Sequence, residues 1–89
     1  MRHNQTLIAK ELQHEARKAI ETAEGETQSS VSRALGITRA AVSVALRSDT
    51  PSRYAATLAR IVAYLTDYEI DVERVTVYRV KRKRKRKRK

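Results

Sequence analysis

A single glycine, Gly36, stands between two short runs of apolar residues, and this arrangement leaves the middle of the chain few folds to choose from. Val31, Ala34 and Leu35 precede it, while Val42, Ala45 and Leu46 follow, each set at the three- and four-residue steps that one face of a helix requires. The spacing predicts one helix over 28–35 and another over 39–47. Thr27 and Thr38 stand directly before them, where a hydroxyl can accept a bond from an otherwise unpaired N–H of the first turn. Gly36 can end the first helix because glycine enters the left-handed region without a Cβ penalty. Ile37 then plugs the gap between the two. Helices this short are marginal alone, so they must pack across the turn and against other elements.

The flanks supply those elements. From Thr6 to Glu24, Leu7, Ile8, Leu12, Ala16, Ala19, Ile20 and Ala23 recur at helical steps, and Gly25 closes the stretch. Ser48, Asp49, Thr50 and Pro51 form a loop, with Pro51 suited to the first turn of a further helix over 52–66 that turns Tyr54, Leu58, Ile61, Val62 and Leu65 inward. Beyond Asp67 the apolar residues become β-branched or aromatic and partly alternate with polar ones, predicting a strand over 74–80. For 68–73 a short strand, a bulge and a loop all remain open, and part of the stretch also fits helix. The expected fold is therefore mainly α, with four to five helices and a C-terminal β-strand, an α+β domain over 1–80. Because Phe and Trp are absent, its core must be built from Leu, Ile, Val and Ala.

Charge separates this domain from the chain's end. The net charge is +10, but residues 81–89 are all Lys or Arg, and removing those nine cations leaves +1 on residues 1–80. Within that part, residues 27–60 hold five arginines against one aspartate, whereas the segments on either side are net acidic. A positive centre between acidic flanks implies one face for a polyanion. The repetitive basic segment has nothing to bury and strong self-repulsion, and is expected to be a disordered tail.

Other function classes find little support. No cysteine is present, which removes disulfides and thiolate chemistry and fits a reducing interior. No apolar run approaches the roughly 18 residues of a membrane span, and the first residues lack a secretory signal. His3 and His14 are too isolated for a metal pair, and neither a catalytic triad motif nor a glycine-rich phosphate loop is found. We expect no enzyme, no cofactor, no metal and no small-molecule substrate.

The stretch TQSSVSRALGITRAAVSVALRS, residues 27–48, resembles the helix-turn-helix of the phage Cro and repressor family, and the flanking helices extend the resemblance to about residues 6–66. Glycine in the turn, the apolar residue after it and Val42 in the second helix all match; Ser32 departs, since the family usually has alanine there. The resemblance implies a first helix crossing the DNA backbone and a second lying in the major groove. With Val42, Ala45 and Leu46 inward, helical spacing turns Arg39, Ala40, Ser43 and Arg47 outward, with Thr38 at the helix start. Thr38, Arg39, Ala40 and Ser43 are the candidate base readers. Arg39 leads, since a guanidinium can grip guanine O6 and N7, although a phosphate contact or a solvated arginine explains it equally well. Ala40 can pack on a thymine methyl, Ser43 can touch several bases, and Val44 can border the groove. Thr27, Gln28, Arg33, Arg47 and Arg53 are candidate phosphate contacts; capping alone explains Thr27 equally well, and Arg33 also fits a solvated helix surface.

A lone C-terminal strand needs a partner. The reading preferred here pairs Val75, Val77, Tyr78 and Val80 with the same strand of a second subunit, which resembles the dimerisation strand of Cro-like proteins and implies a symmetric dimer on a palindromic operator with half-sites about 34 Å apart. A hairpin within one chain is the alternative. The tail adds affinity for any DNA by releasing counterions, without reading sequence; a localisation patch and an anionic membrane surface are other uses of such a run. Together these features predict a cytoplasmic, nucleoid-associated transcriptional repressor of bacterial or phage origin. An antitoxin-like protein-interaction module using the C-terminal strand, and a nonspecific DNA binder acting through its tail, are the competing readings.

Overall fold

The computed structural model describes residues 6–72 and 77–83. The two central helices form with the bounds that their local signals predict: α2 spans Gln28–Leu35 and α3 spans Arg39–Arg47. Thr27 Oγ1 accepts from the Ser30 N–H at 3.1 Å, and Ser30 Oγ accepts from the Thr27 N–H at 2.8 Å, a reciprocal cap on α2. Thr38 Oγ1 accepts from the Ala41 N–H at 3.0 Å to start α3. Between them Gly36 is left-handed, with φ 72° and ψ 28°, and the Gly36 and Ile37 N–H groups donate back to the Arg33 and Ser32 carbonyls.

The flanking helices are shorter than periodicity predicts. Helix α1 covers Ala9–Thr22, while Thr6–Ile8 form a strand, β1. The reason is tertiary: Leu7 is buried between exposed Thr6 and Ile8, a two-residue alternation that a sheet partner can use. Pro51 opens a 3₁₀ turn, Pro51–Tyr54, and α4 begins only afterwards, at Ala55–Leu65.

The C-terminal region also differs from the sequence expectation. Two strands form, β2 at Tyr68–Val72 and β3 at Val77–Arg82, and with β1 they make an antiparallel sheet in the order β1-β3-β2. β3 therefore lies in the middle. Its Val77, Tyr78 and Arg79 face Ile8, Leu7 and Thr6, and on the other side Tyr78 to Arg82 face Val72 to Tyr68. This corrects the intersubunit role expected of the strand, because its hydrogen-bonding partners come from its own chain. Tyr78 and Val80 are buried in the protein's own core, Val77 pairs with Ile8, and Val75 lies outside the described residues.

The same strand corrects the tail boundary. Lys81 and Arg82 belong to β3, and the register sets Lys81 opposite Glu69, an opposite-charge pair of the kind that helps fix register. Lys83 is tied down too: its N–H donates to the Asp67 carbonyl, and its Nζ to the Ala63 carbonyl near the end of α4. The remaining basic residues, 84–89, lie outside the described residues.

One core joins helices and sheet. Leu12 of α1, Val31 of α2, Val42 of α3, Leu58, Ile61 and Val62 of α4 and Val80 of β3 are its largest fully buried side chains. Ala16 and Ala45 are also fully buried, which lets the backbones of α1 and α3 sit close. Among the described residues no helix is long and apolar enough to cross a membrane.

Candidate nucleic-acid interface

Three buried residues, Val42, Ala45 and Leu46, fasten α3 to the core and thereby fix which of its faces looks outward. Polar contacts from α1 hold its C-terminal end. The last turn of a helix leaves carbonyls without intrahelical donors, and here α1 supplies them. Gln13, only 8% exposed, donates from Nε2 to the Ala45 and Ser48 carbonyls, both at 3.0 Å. The Arg17 guanidinium donates to the Leu46 carbonyl. At the end of α2, Arg60 of α4 donates to the Leu35 carbonyl at 2.6 Å. Both helices thus end on donors from the scaffold, and two of the three donors are cations facing a helix's negative end.

These anchoring residues were not among the sites predicted from sequence. For Gln13 and Arg17 a signal existed: they lie four residues apart on α1, one turn, so they project from one face and can meet successive carbonyls. What was missing was the identity of the element opposite them.

The outward face of α3 carries Thr38, Arg39, Ala40, Val44 and Arg47, all exposed, with Ser43 half-buried at its margin. The helix is nine residues long, about 13 Å at 1.5 Å per residue, and a B-DNA major groove is about 12 Å wide. Arginines stand at both ends of this face and small or apolar residues between them. The guanidinium groups of Arg33, Arg39, Arg47 and Arg53 are all exposed, and none has a hydrogen-bonding or ionic partner among the described residues. They contrast with Arg17 and Arg60, which are committed to carbonyls.

At the other end of the motif the Thr27 hydroxyl is already spent as the α2 cap. Glu26 adjoins that end, accepting from the Ser30 hydroxyl at 2.7 Å and from the Tyr64 hydroxyl at 3.4 Å. The carboxylate partly satisfies the positive pole of α2, so a phosphate there gains less than a bare helix N-terminus offers. Gln28 is half-buried beside it. Arg53 projects from the 3₁₀ turn beyond α3. The sequence-predicted residues therefore separate into an exposed set on α3 and its continuation, exposed Arg33 in the last turn of α2, and a pair at the α2 start, Thr27, whose hydroxyl is engaged as the cap, and half-buried Gln28.

Among the described residues, no group of three or more His, Cys, Asp or Glu side chains is placed to hold a metal ion. Comparison with protein-family models, with curated proteins and with solved structures found no match.

Proposed function

We propose that this protein is a sequence-specific DNA-binding regulator of transcription, a repressor, that inserts α3 into the major groove. The observation that carries the reading is the split among exposed arginines: Arg17 and Arg60 are tied to helix-end carbonyls, while Arg39 and Arg47 flank the exposed face of α3 without a partner among the described residues. In this proposal Arg39 reads guanine, Thr38, Ala40 and Ser43 line the groove floor, and Arg47 and Arg53 bind phosphates on its walls. Arg33, Thr27 and Gln28 add contacts to the backbone on the α2 side, the weakest part of the footprint given the engaged Thr27 hydroxyl and the neighbouring Glu26. The basic run after Lys83 contributes affinity that does not depend on sequence. The resemblance of residues 27–48 to the Cro and repressor family supports the same assignment.

A homodimer on a palindromic operator belongs to the proposal, with its contact moved away from β3. The outer edges of β1 and β2 face no strand among the described residues, so an intersubunit pairing falls on one of them. The test is selection of duplexes from a random pool by the chain ending at Lys83, so that the terminal cations cannot supply binding. Recovery of one enriched, palindromic motif is the expected result. Recovery of no motif refutes specific recognition, and a motif without symmetry refutes the dimer alone.

A further inference from the structure

Val44 is a valine with nothing over it. At 45% exposure it is one of three large hydrophobic side chains left open on the described surface, and it lies on α3 one turn after exposed Ala40. A scattered exposed valine needs no explanation. This one is different because of its neighbours: Arg39 precedes the Ala40–Val44 pair, Arg47 follows it, and both guanidinium groups lack partners among the described residues.

That combination discriminates between occupants. An apolar protein surface covering Val44 would also strip water from two unpaired arginines, at a cost that nothing apolar repays. A DNA groove presents anionic walls and a floor on which the thymine 5-methyl is the apolar feature. Arginines outside and methyl-sized apolar groups inside are complementary to it. Ala40 and Val44 are four residues apart, about 6 Å along the helix axis, which is close to two 3.4 Å base steps. Ala40 reaches less far than Val44, having no atoms beyond Cβ, so the longer-reaching contact belongs to Val44.

Resting on the DNA-binding reading above, we propose that Val44 is a specificity-determining residue that selects thymine by packing on its 5-methyl group, next to the guanine read by Arg39. The ligand feature is a single methyl. Uracil pairs as thymine does but lacks that methyl, so it removes the contact and preserves every hydrogen-bonding group of the base edge.

The experiment measures binding of the wild-type chain and of Val44→Ala to the selected duplex, with each thymine of the half-site replaced in turn by uracil. Unfolding midpoints of both chains establish that the exposed substitution leaves the fold intact. The proposal expects one thymine at which uracil weakens the wild type about fourfold, the equivalent of one methyl-sized group returned to water, and at which Val44→Ala shows no such penalty. If every uracil affects both chains alike, the assignment to Val44 is overturned while specific recognition stands. If no duplex outbinds a scrambled one, the DNA-binding reading and this inference fall together.

Discussion

Replacing Gln13 by methionine should destabilise the protein far more than a polar-to-apolar change in a helix usually does. Methionine nearly matches glutamine in length and is a good helix former, so neither packing volume nor propensity changes much. What changes is hydrogen bonding. The Ala45 carbonyl receives a buried bond from Gln13 Nε2, and the Ser48 carbonyl receives a partly buried one. Leaving a buried acceptor without a donor costs about 1–3 kcal/mol, and losing the second, wetter bond adds about 1 kcal/mol. The expected loss is about 2–4 kcal/mol. For a domain of this size that lowers the thermal midpoint by roughly 10–25 °C, and it lowers the urea midpoint while the m-value holds. Gln13→Glu sharpens the test, because an ionised carboxylate has no donor and turns an acceptor toward two acceptors. It should be less stable than Gln13→Met at neutral pH. A methionine variant within 0.5 kcal/mol of wild type, on the scale set by these bonds, or a glutamate variant more stable than methionine, refutes the anchoring role.

Further outcomes follow from other parts of the molecule. Gly36→Ala should cost about 1–2 kcal/mol from the left-handed φ of 72° alone, since an added Cβ meets nothing within 4 Å, and Gly36→Asn should cost less; thermal unfolding compares them. Thr38→Ala should lose about 1 kcal/mol with the α3 cap, read in urea unfolding. Ending the chain at Lys83 should leave the thermal midpoint unchanged, whereas ending it at Val80 should lower it, because the latter removes Lys81 and Arg82 from β3 and the Lys83 donor from the Ala63 carbonyl. In DNA binding, removing the six cations of residues 84–89 should flatten the dependence of log K on log salt by up to about 5. Arg47→Ala should weaken binding alike at every sequence, as a phosphate contact does.

Where a signal is local, the sequence expresses it plainly. Thr27, Gly36 and Thr38 each act on residues within four positions, and α2, the turn and α3 take the bounds those residues predict. The misreadings lie where a distant partner decides. Leu7 and Ile8 fit the helical stripe of α1 as well as they fit β1, and only the pairing of Leu7 with Tyr78 separates the two. Lys81 and Arg82 look like the start of a uniform basic run, yet Glu69 and Tyr68 opposite them draw both into β3. The expectation that β3 seeks a second subunit came from treating it as a lone strand; β1 and β2 remove that need. On the candidate interface, helical spacing foretold that Arg39, Ala40 and Arg47 lie outward on α3, because Val42, Ala45 and Leu46 define its inner side, whereas Ser43 is half-buried at the margin. The anchors Gln13, Arg17 and Arg60 stayed hidden, since a donor in sequence does not name the carbonyl that it meets.

In the proposed mode of binding α3 reads the major groove through Arg39, and guanine N7 is accessible only there. The measurement is binding of the wild-type chain and of Arg39→Ala to the selected duplex in which each guanine is replaced in turn by 7-deazaguanine, which lacks that acceptor. One guanine is expected at which the replacement weakens wild-type binding by about 1–3 kcal/mol and leaves Arg39→Ala unaffected. Equal losses in both chains, or no loss at any guanine, would contradict it.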